Sequence, residues 1–76
     1  MIEVGDIIRV NSGAEPNHEV LDIIFREQGA TLISLRFTSG GGLYNYTLSY
    51  IIEINKDLIR NKALNKALNQ VLATNI

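Results

Sequence analysis

Clusters of turn-forming residues divide the first part of the chain into short segments. The clusters are residues 11–17 (NSGAEPN), residues 28–29 (QG) and residues 39–42 (SGGG). Asn, Ser, Gly and Pro favour turns because they bond the local backbone, permit positive φ or fix φ. The chain is therefore predicted to contain short strands joined by tight connections.

The segments between the turns carry the residue types that favour strands. Residues 4–10 and 18–27 are rich in β-branched Val and Ile. Residues 31–38 (TLISLRFT) and 43–48 (LYNYTL) alternate between two faces, as half-buried strands do. Residues 49–54 (SYIIEI) fit one helical turn followed by a last short strand. Together these segments predict a mainly β fold, a small β-barrel of about five strands.

The C-terminal segment predicts an amphipathic α-helix over residues 56–73, built around a tandem Asn-Lys-Ala-Leu repeat. Asn55 is predicted to cap this helix through its side-chain oxygen, with Asp57 favourable in the first turn. Apolar side chains occupy a wide arc of the helix circumference, and this apolar arc is expected to pack against another surface. The residues predicted to make the helix contact are Leu64, Leu68, Val71 and Leu72. Docking on the barrel of the same chain is the preferred interpretation, and pairing with a second copy in a homo-oligomer is the alternative.

The 76 residues are predicted to form one small domain, a β-barrel over residues 1–55 with the helix over residues 56–73. The chain has no Cys, which excludes disulfides and thiolate metal sites. No apolar run reaches the roughly 18 residues of a membrane span. The N-terminus has no basic region followed by an apolar stretch, so it does not resemble a signal peptide. A cytoplasmic protein with no membrane contact is expected.

The net charge of −1 conceals an uneven distribution. Residues 1–55 carry seven acidic and three basic side chains, whereas residues 56–76 carry four basic side chains and one acidic side chain. An acidic body and a basic tail favour contact with each other. A tail directed at a polyanion is the alternative interpretation.

Residues of the first two predicted strands resemble the KOW pattern of ribosomal proteins and transcription elongation factors. In that pattern a Gly-Asp pair opens a strand, an apolar pair follows, and a Gly closes the loop before a Val-x-x-Ile strand. The matching residues in GDIIRVNSG and HEVLDI are Gly5, Asp6, Ile8, Val10, Gly13, Val20 and Ile23. KOW loops carry a further Gly and basic residues, whereas residues 14–18 here are AEPNH. This departure disfavours nucleic-acid binding by the loop.

Residues 35–54 (LRFTSGGGLYNYTLSYIIEI) are similar to the closing half of small barrels such as the photosystem I peripheral subunit. Those barrels end with an aromatic strand, a Leu, one helical turn and a short apolar strand. The matching residues are Tyr46, Leu48, Ile52 and Ile54. The two resemblances together cover residues 3–54 and imply an SH3-like β-barrel.

The sequence offers no signature of a catalytic, metal or cofactor site. His18 is the single His, and no local motif surrounds a Ser that would join it in a triad. His18 with Glu15, Glu19 or Asp22 lacks the diagnostic spacing of a metal site. Residues 40–42 (GGG) are not followed by the Lys-Ser/Thr and helix of a phosphate-binding loop. An enzyme is therefore not expected, and neither a cofactor nor a metal is predicted.

Binding another protein is the predicted function, because Tyr is enriched in interaction surfaces. The module would act as an adaptor or inhibitor, and its richness in Ile and Asn, typical of AT-rich genomes, is compatible with a phage-encoded modulator of a host factor. The residues predicted to contact the partner are Tyr44, Tyr46, Tyr50, Gly41 and Arg36. An RNA- or DNA-binding accessory protein that uses Arg36 and the helix lysines is the disfavoured alternative. A structural subunit of a larger assembly is the third interpretation.

Overall fold

The computed structural model describes residues 1–74 and consists of one antiparallel sheet followed by two helices. The strands are β1 (Ile7–Ile8), β2 (His18–Ile24), β3 (Leu32–Phe37) and β4 (Tyr44–Thr47), and the helices are α1 (Leu48–Ile54) and α2 (Lys56–Thr74). The sheet order is β1-β2-β3-β4, so each strand pairs with its neighbours in the sequence. The sheet curls into half of a barrel, which confirms a β-rich domain with a C-terminal helix.

Strand β1 is shorter than the predicted residues 4–10 because its regular pairing with β2 ends on both sides. On the N-terminal side, Gly5 still donates its N–H to the Val20 oxygen at 2.8 Å, but its φ of 96°, a conformation that favours glycine, interrupts the extended backbone. On the C-terminal side, the backbone N–H of Arg9 donates to Asn55 Oδ1 at 3.0 Å rather than to a strand. Strand β1 therefore pairs with β2 over two residues.

The fifth strand predicted within residues 49–54 is wrong, because the whole of Leu48–Ile54 is helical. Leu48, Ile51 and Ile52 follow the i, i+3, i+4 spacing that places apolar side chains on one helix face. Ile51 is fully buried, and Leu48 and Ile52 are partly buried against the core. An extended conformation would place Ile51 and Ile52 on opposite faces. The sheet therefore has four strands rather than about five.

The hydrophobic core lies between the curled sheet, the N-terminal segment and α1. Strand β3 supplies Ile33 and Leu35 and strand β2 supplies Val20, all three without solvent exposure. Val20 lies opposite Leu35 in the β2–β3 register, so their side chains share one face of the sheet. Removing each such side chain from water contributes roughly 1.5–3 kcal/mol. The other core residues are Ile2, Ile8 and Ile51.

Asn55 joins the two helices and anchors them to the segment after β1. Its side chain is fully buried. Nδ2 donates to the backbone oxygens of Arg9 (3.0 Å) and Ile51 (2.8 Å), and Oδ1 accepts from the Arg9 N–H. Asn55 ends α1 and directly precedes α2, where its backbone oxygen accepts from the Ile59 N–H at 3.0 Å. The predicted position before the C-terminal helix is therefore observed, but Oδ1 accepts from the Arg9 N–H instead of capping the helix.

The Arg9 guanidinium reinforces the same junction. It donates to both carboxylate oxygens of Asp57, at 2.6 and 3.2 Å, and to the backbone oxygens of Ala14 (2.8 Å) and Ile54 (3.1 Å). The hydrogen bond from Arg9 lowers the pKa of Asp57, and the same bond raises the pKa of Arg9. Asp57 lies in the first turn of α2, as predicted, where a carboxylate also complements the helix dipole.

Helix α2 contacts the rest of the protein through its N-terminal part. Within residues 56–73, partial burial is confined to Leu58, Ile59 and Lys62. The predicted docking of the apolar arc on the barrel of the same chain is wrong, because the side chains of the arc are more than half exposed. The exposed fractions are 60% for Leu64, 57% for Leu68, 54% for Val71 and 57% for Leu72.

Lys62 of the basic tail reaches the acidic body, as the charge distribution predicts. Its Nζ lies 2.9 Å from Asp6 Oδ2, 3.2 Å from Glu3 Oε1 and 3.0 Å from the backbone oxygen of Met1. Burial opposes the ionisation of Asp6, but hydrogen bonds from Lys62 and from the Glu3 N–H together lower its pKa. These contacts fix the N-terminal part of α2 to the N-terminal segment.

Candidate functional site

An open cleft lined by aromatic rings lies at one end of the sheet, beside the segment that follows β1. Its volume is about 220 Å³. Strands β2, β3 and β4 contribute to its walls. We call it the aromatic cleft, and its lining residues are Val10, Asn11, His18, Phe37, Tyr44 and Tyr46.

Strand register brings three of these rings together. His18 begins β2 and lies opposite Phe37, which ends β3. Tyr44 begins β4 and lies opposite Leu35, two residues before Phe37, so the Tyr44 ring reaches Phe37 diagonally. The ring centroids of His18 and Phe37 are 4.0 Å apart, and that of Tyr44 is 6.1 Å from Phe37 and 6.4 Å from His18. Tyr44 meets both rings edge to face, an arrangement that aromatic quadrupoles favour.

Tyr46 and Tyr50 extend the aromatic surface from the sheet onto α1. Their rings are stacked, with centroids 6.0 Å apart and planes 19° apart. The Tyr50 hydroxyl donates to the backbone oxygen of Val10 at 2.8 Å. Since Val10 lines the opposite wall, this bond holds that wall against α1. Tyr50 therefore borders the aromatic cleft through its contacts with two of the lining residues, Val10 and Tyr46.

His18 forms the floor of the aromatic cleft, and Phe37 and Tyr44 form its rim. His18 is 3% exposed, compared with 38% for Phe37 and 47% for Tyr44. Its Nδ1 lies 2.6 Å from Asn17 Oδ1, the acceptor of the hydrogen bond. Burial lowers the pKa of His18, because the imidazolium form loses its hydration. The ring that packs against Phe37 is therefore neutral at pH 7.

The structure brings three of the five predicted contact residues to this site. Tyr44 and Tyr46 line the aromatic cleft, and Tyr50 borders it. Gly41 lies in the loop before β4, with a φ of 116° and open space around it. Arg36 is exposed on β3 between two residues of the core and cleft face, so it lies on the opposite face of the sheet. Neither Gly41 nor Arg36 lines the aromatic cleft.

The predicted contact residues do not include four that line the aromatic cleft: Val10, Asn11, His18 and Phe37. Phe37 carries a usable signal, since it continues the apolar face of Ile33 and Leu35 to the end of the strand. His18 has no such signal, because its place opposite Phe37 depends on the β2–β3 register. The sequence around His18 carries neither a catalytic motif nor metal-ligand spacing, so it gives no indication that His18 lines a site.

A wider groove of about 700 Å³ separates α2 from the N-terminal segment. Its walls mix apolar side chains, among them Ile2, Ile7, Leu58 and Ile59, with polar ones, among them Asn65 and Asn69. Lys62 also lines this groove, and its ammonium is engaged by Asp6 and Glu3. The groove therefore presents mixed chemistry without a convergent set of polar groups, and the aromatic cleft is the better candidate site.

Within residues 1–74, no three His, Asp or Glu side chains come together as a set of metal ligands. None of the described helices combines the length and the apolar character needed to cross a membrane. Comparisons with protein-family models, curated proteins and solved structures find no match to this chain. The functional proposal therefore rests on the geometry of the aromatic cleft.

Proposed function

We propose that the protein is a small, non-enzymatic binding module of the cytoplasm that holds an extended segment of another protein in the aromatic cleft. In this role it acts as an adaptor or an inhibitor of its partner. The observation that carries the proposal is the exposure of aromatic rings around a concave site: Phe37, Tyr44 and Tyr50 are 38%, 47% and 41% exposed. Aromatic residues grouped around a pocket are typical of interaction hot spots.

The rings of the aromatic cleft are held in place without a ligand. Tyr50 is fixed by its hydrogen bond to Val10, and Tyr46 is stacked on Tyr50. Phe37 packs on the buried His18 ring. Because these side chains are already ordered, they lose little conformational entropy when a partner binds. This preorganisation supports a binding role for the surface.

The dimensions of the aromatic cleft favour a single inserted side chain. Its volume of about 220 Å³ is below the roughly 300–1,000 Å³ that is typical of small-molecule sites. Strand β4 is the last strand in the sheet order, so one of its edges is available to an added strand. The partner segment that fits is an extended peptide that lies along β4 and inserts an apolar or aromatic side chain between the rings.

Charge favours a protein partner over a nucleic acid. Contact with several phosphates requires Lys and Arg side chains that are free to reach them. Arg9 and Lys62 are engaged by Asp57 and Asp6 of the same chain, and Arg36 lies on the face opposite the aromatic cleft. The acidic excess of residues 1–55 also repels phosphates.

Selection from a random peptide library displayed on phage tests the proposal. We expect the wild-type protein to enrich peptides that share an apolar or aromatic residue. The Tyr44→Ala variant should bind the selected peptides at least about tenfold more weakly, since hot-spot truncations cost 2 kcal/mol or more. The matched control is Phe25→Ala, which removes a ring that is 79% exposed outside the aromatic cleft.

Two outcomes would contradict the proposal. One is the absence of any enriched peptide, and the other is an equal loss of binding in the Tyr44→Ala and Phe25→Ala variants. A parallel titration with single-stranded DNA, at low and at physiological salt, tests whether the protein binds nucleic acid instead of a protein partner. Tight DNA binding that falls steeply with salt would replace the present proposal with that alternative.

A further inference from the structure

The outer part of α2 carries an apolar stripe that faces away from the rest of the protein. The helix side that lines the wide groove toward the N-terminal segment includes Asn61, Asn65 and Asn69. The apolar residues occupy the other side, since helical positions follow a period of 3.6 residues. The four large ones are each more than half exposed. We call this set the α2 stripe, and it consists of Ala63, Leu64, Ala67, Leu68, Val71 and Leu72.

This part of the helix lacks the tertiary packing that stabilises most helices in proteins. Every residue from 63 to 73 is exposed. Short isolated helices are marginal in water, and most helical stability in proteins comes from packing of an apolar face. Asn at positions 61, 65 and 69 lowers the intrinsic propensity further. The α2 stripe therefore needs cover that the described residues, 1–74, do not supply.

We propose that the α2 stripe pairs with the α2 stripe of a second copy of this chain, with the two helices antiparallel. The stripe contains no charged residue, so two stripes can meet without burying a charge. Leu64, Leu68 and Leu72 follow an i, i+4 spacing and form one ridge, beside the smaller Ala63 and Ala67. Ridges of this spacing pack into the grooves of a second helix.

The distribution of charge selects the antiparallel orientation. The basic residues of α2 are Lys56, Arg60, Lys62 and Lys66, all in its first two-thirds, and residues 67–73 are uncharged. A parallel pair would place these basic residues beside their own copies. An antiparallel pair places them near the carbonyl end of the partner helix, where the helix dipole favours cations. It also places the two sheets at opposite ends of the helix pair, so they do not collide.

The size of the contact predicts a reversible dimer. The α2 stripe spans ten residues, which is about 14 Å of helix at 1.5 Å per residue. Two such stripes bury less than the roughly 1,200 Å² that separates weak from stable interfaces. We therefore expect monomer and dimer to exchange at micromolar concentration. This inference is independent of the aromatic cleft, whose residues lie outside α2.

Sedimentation velocity over a concentration series tests the dimer with the full chain. We expect the wild-type dimer fraction to rise with concentration, and the Leu68→Glu variant to raise the dissociation constant at least about tenfold. The Asn69→Glu variant is the matched control, since it adds the same charge one residue away, about 100° around the helix and outside the α2 stripe, on the side that lines the wide groove. A monomeric wild type at 500 μM would overturn the proposal, and so would equal effects of the two variants.

Cross-linking tests the orientation independently of stability. In an antiparallel pair centred on the α2 stripe, Ala67 lies beside its own copy, whereas the two copies of Ala63 are about 13 Å apart. Because the chain has no Cys of its own, each variant carries one thiol. A disulfide needs Cα atoms about 4.4–6.8 Å apart. We expect oxidation to dimerise the Ala67→Cys variant and not the Ala63→Cys variant, and cross-linking of both or of neither would overturn the antiparallel pair.

Discussion

The body of the protein, residues 1–62, contains the buried hydrophobic core, whereas every large apolar side chain of the outer part of α2, residues 63–73, is more than half exposed. Ile33 in the body has no exposed surface, and Leu64 and Leu68 in the outer part are 60% and 57% exposed. Both regions have a regular apolar pattern, of period two in β3 and close to four in α2. The pattern alone therefore does not determine burial.

What separates the two regions is long-range contact within the chain. The body is closed by Asn55, which binds the Arg9 backbone, and by Lys62, which binds Asp6. Residues 63–73 have no buried side chain that would continue this closure. An apolar helix face thus predicts that its side chains are buried against another surface. Whether that surface belongs to the same chain depends on the long-range contacts.

Truncation of the central core residue should produce the largest effect. The Ile33→Ala variant should lose about 3 kcal/mol of unfolding free energy, because it removes a fully buried side chain and leaves a cavity. The Ile33→Val variant should lose about 1 kcal/mol and remains measurable if the first variant does not fold. Urea unfolding monitored by circular dichroism at low micromolar concentration provides both values.

The control for the core variants is Leu64→Ala in the outer part of α2. At a concentration where the chain is monomeric, this variant should change the unfolding free energy by less than about 0.5 kcal/mol. A loss as large as that of Ile33→Ala would show that Leu64 is covered within its own chain. The contrast between the two regions would then be incorrect.

Substitution of Asn55 in the body and of Asn65 in the outer part of α2 tests the same residue type in the two regions. The Asn55→Ala variant should lose about 2–3 kcal/mol, because the half-buried Arg9 N–H and backbone oxygen and the buried Ile51 oxygen lose their partner. The Asn65→Ala variant should be neutral or slightly stabilising, since Asn65 is exposed and Ala is the better helix former. Thermal unfolding of both variants measures the difference, and similar shifts in the two would rule out the junction as a source of stability.

Local patterns in the sequence locate the sheet but not its long-range contacts. Alternation and turn chemistry predict β2, β3 and β4, as well as the helix after Asn55, since these signals act over a few residues. The strand predicted within residues 49–54 fails because a short apolar run suits a helix equally well. The role of Asn55 is also missed, because its partner Arg9 lies 46 residues away. The same limit hides His18, whose contact with Phe37 depends on strand register.

Titration of His18 should have the smallest effect and concerns the floor of the aromatic cleft. Burial lowers its pKa from the ordinary 6.5, so the unfolded chain takes up a proton before the folded protein does. Stability is therefore complete above about pH 6.5 and declines as the pH falls below that value. Asp6 and Asp57, with pKa values lowered from 3.8, stay ionised throughout this window.

Thermal unfolding between pH 7.0 and 5.5 measures this linkage. We expect the wild-type midpoint to fall over this window, because the unfolded chain binds a proton that the folded protein takes up less readily. The His18→Gln variant should show a smaller change, because His18 is the single His of the chain. If both proteins decline equally, protonation of His18 does not oppose folding. This result would contradict the burial of the His18 ring beneath Phe37 and Tyr44.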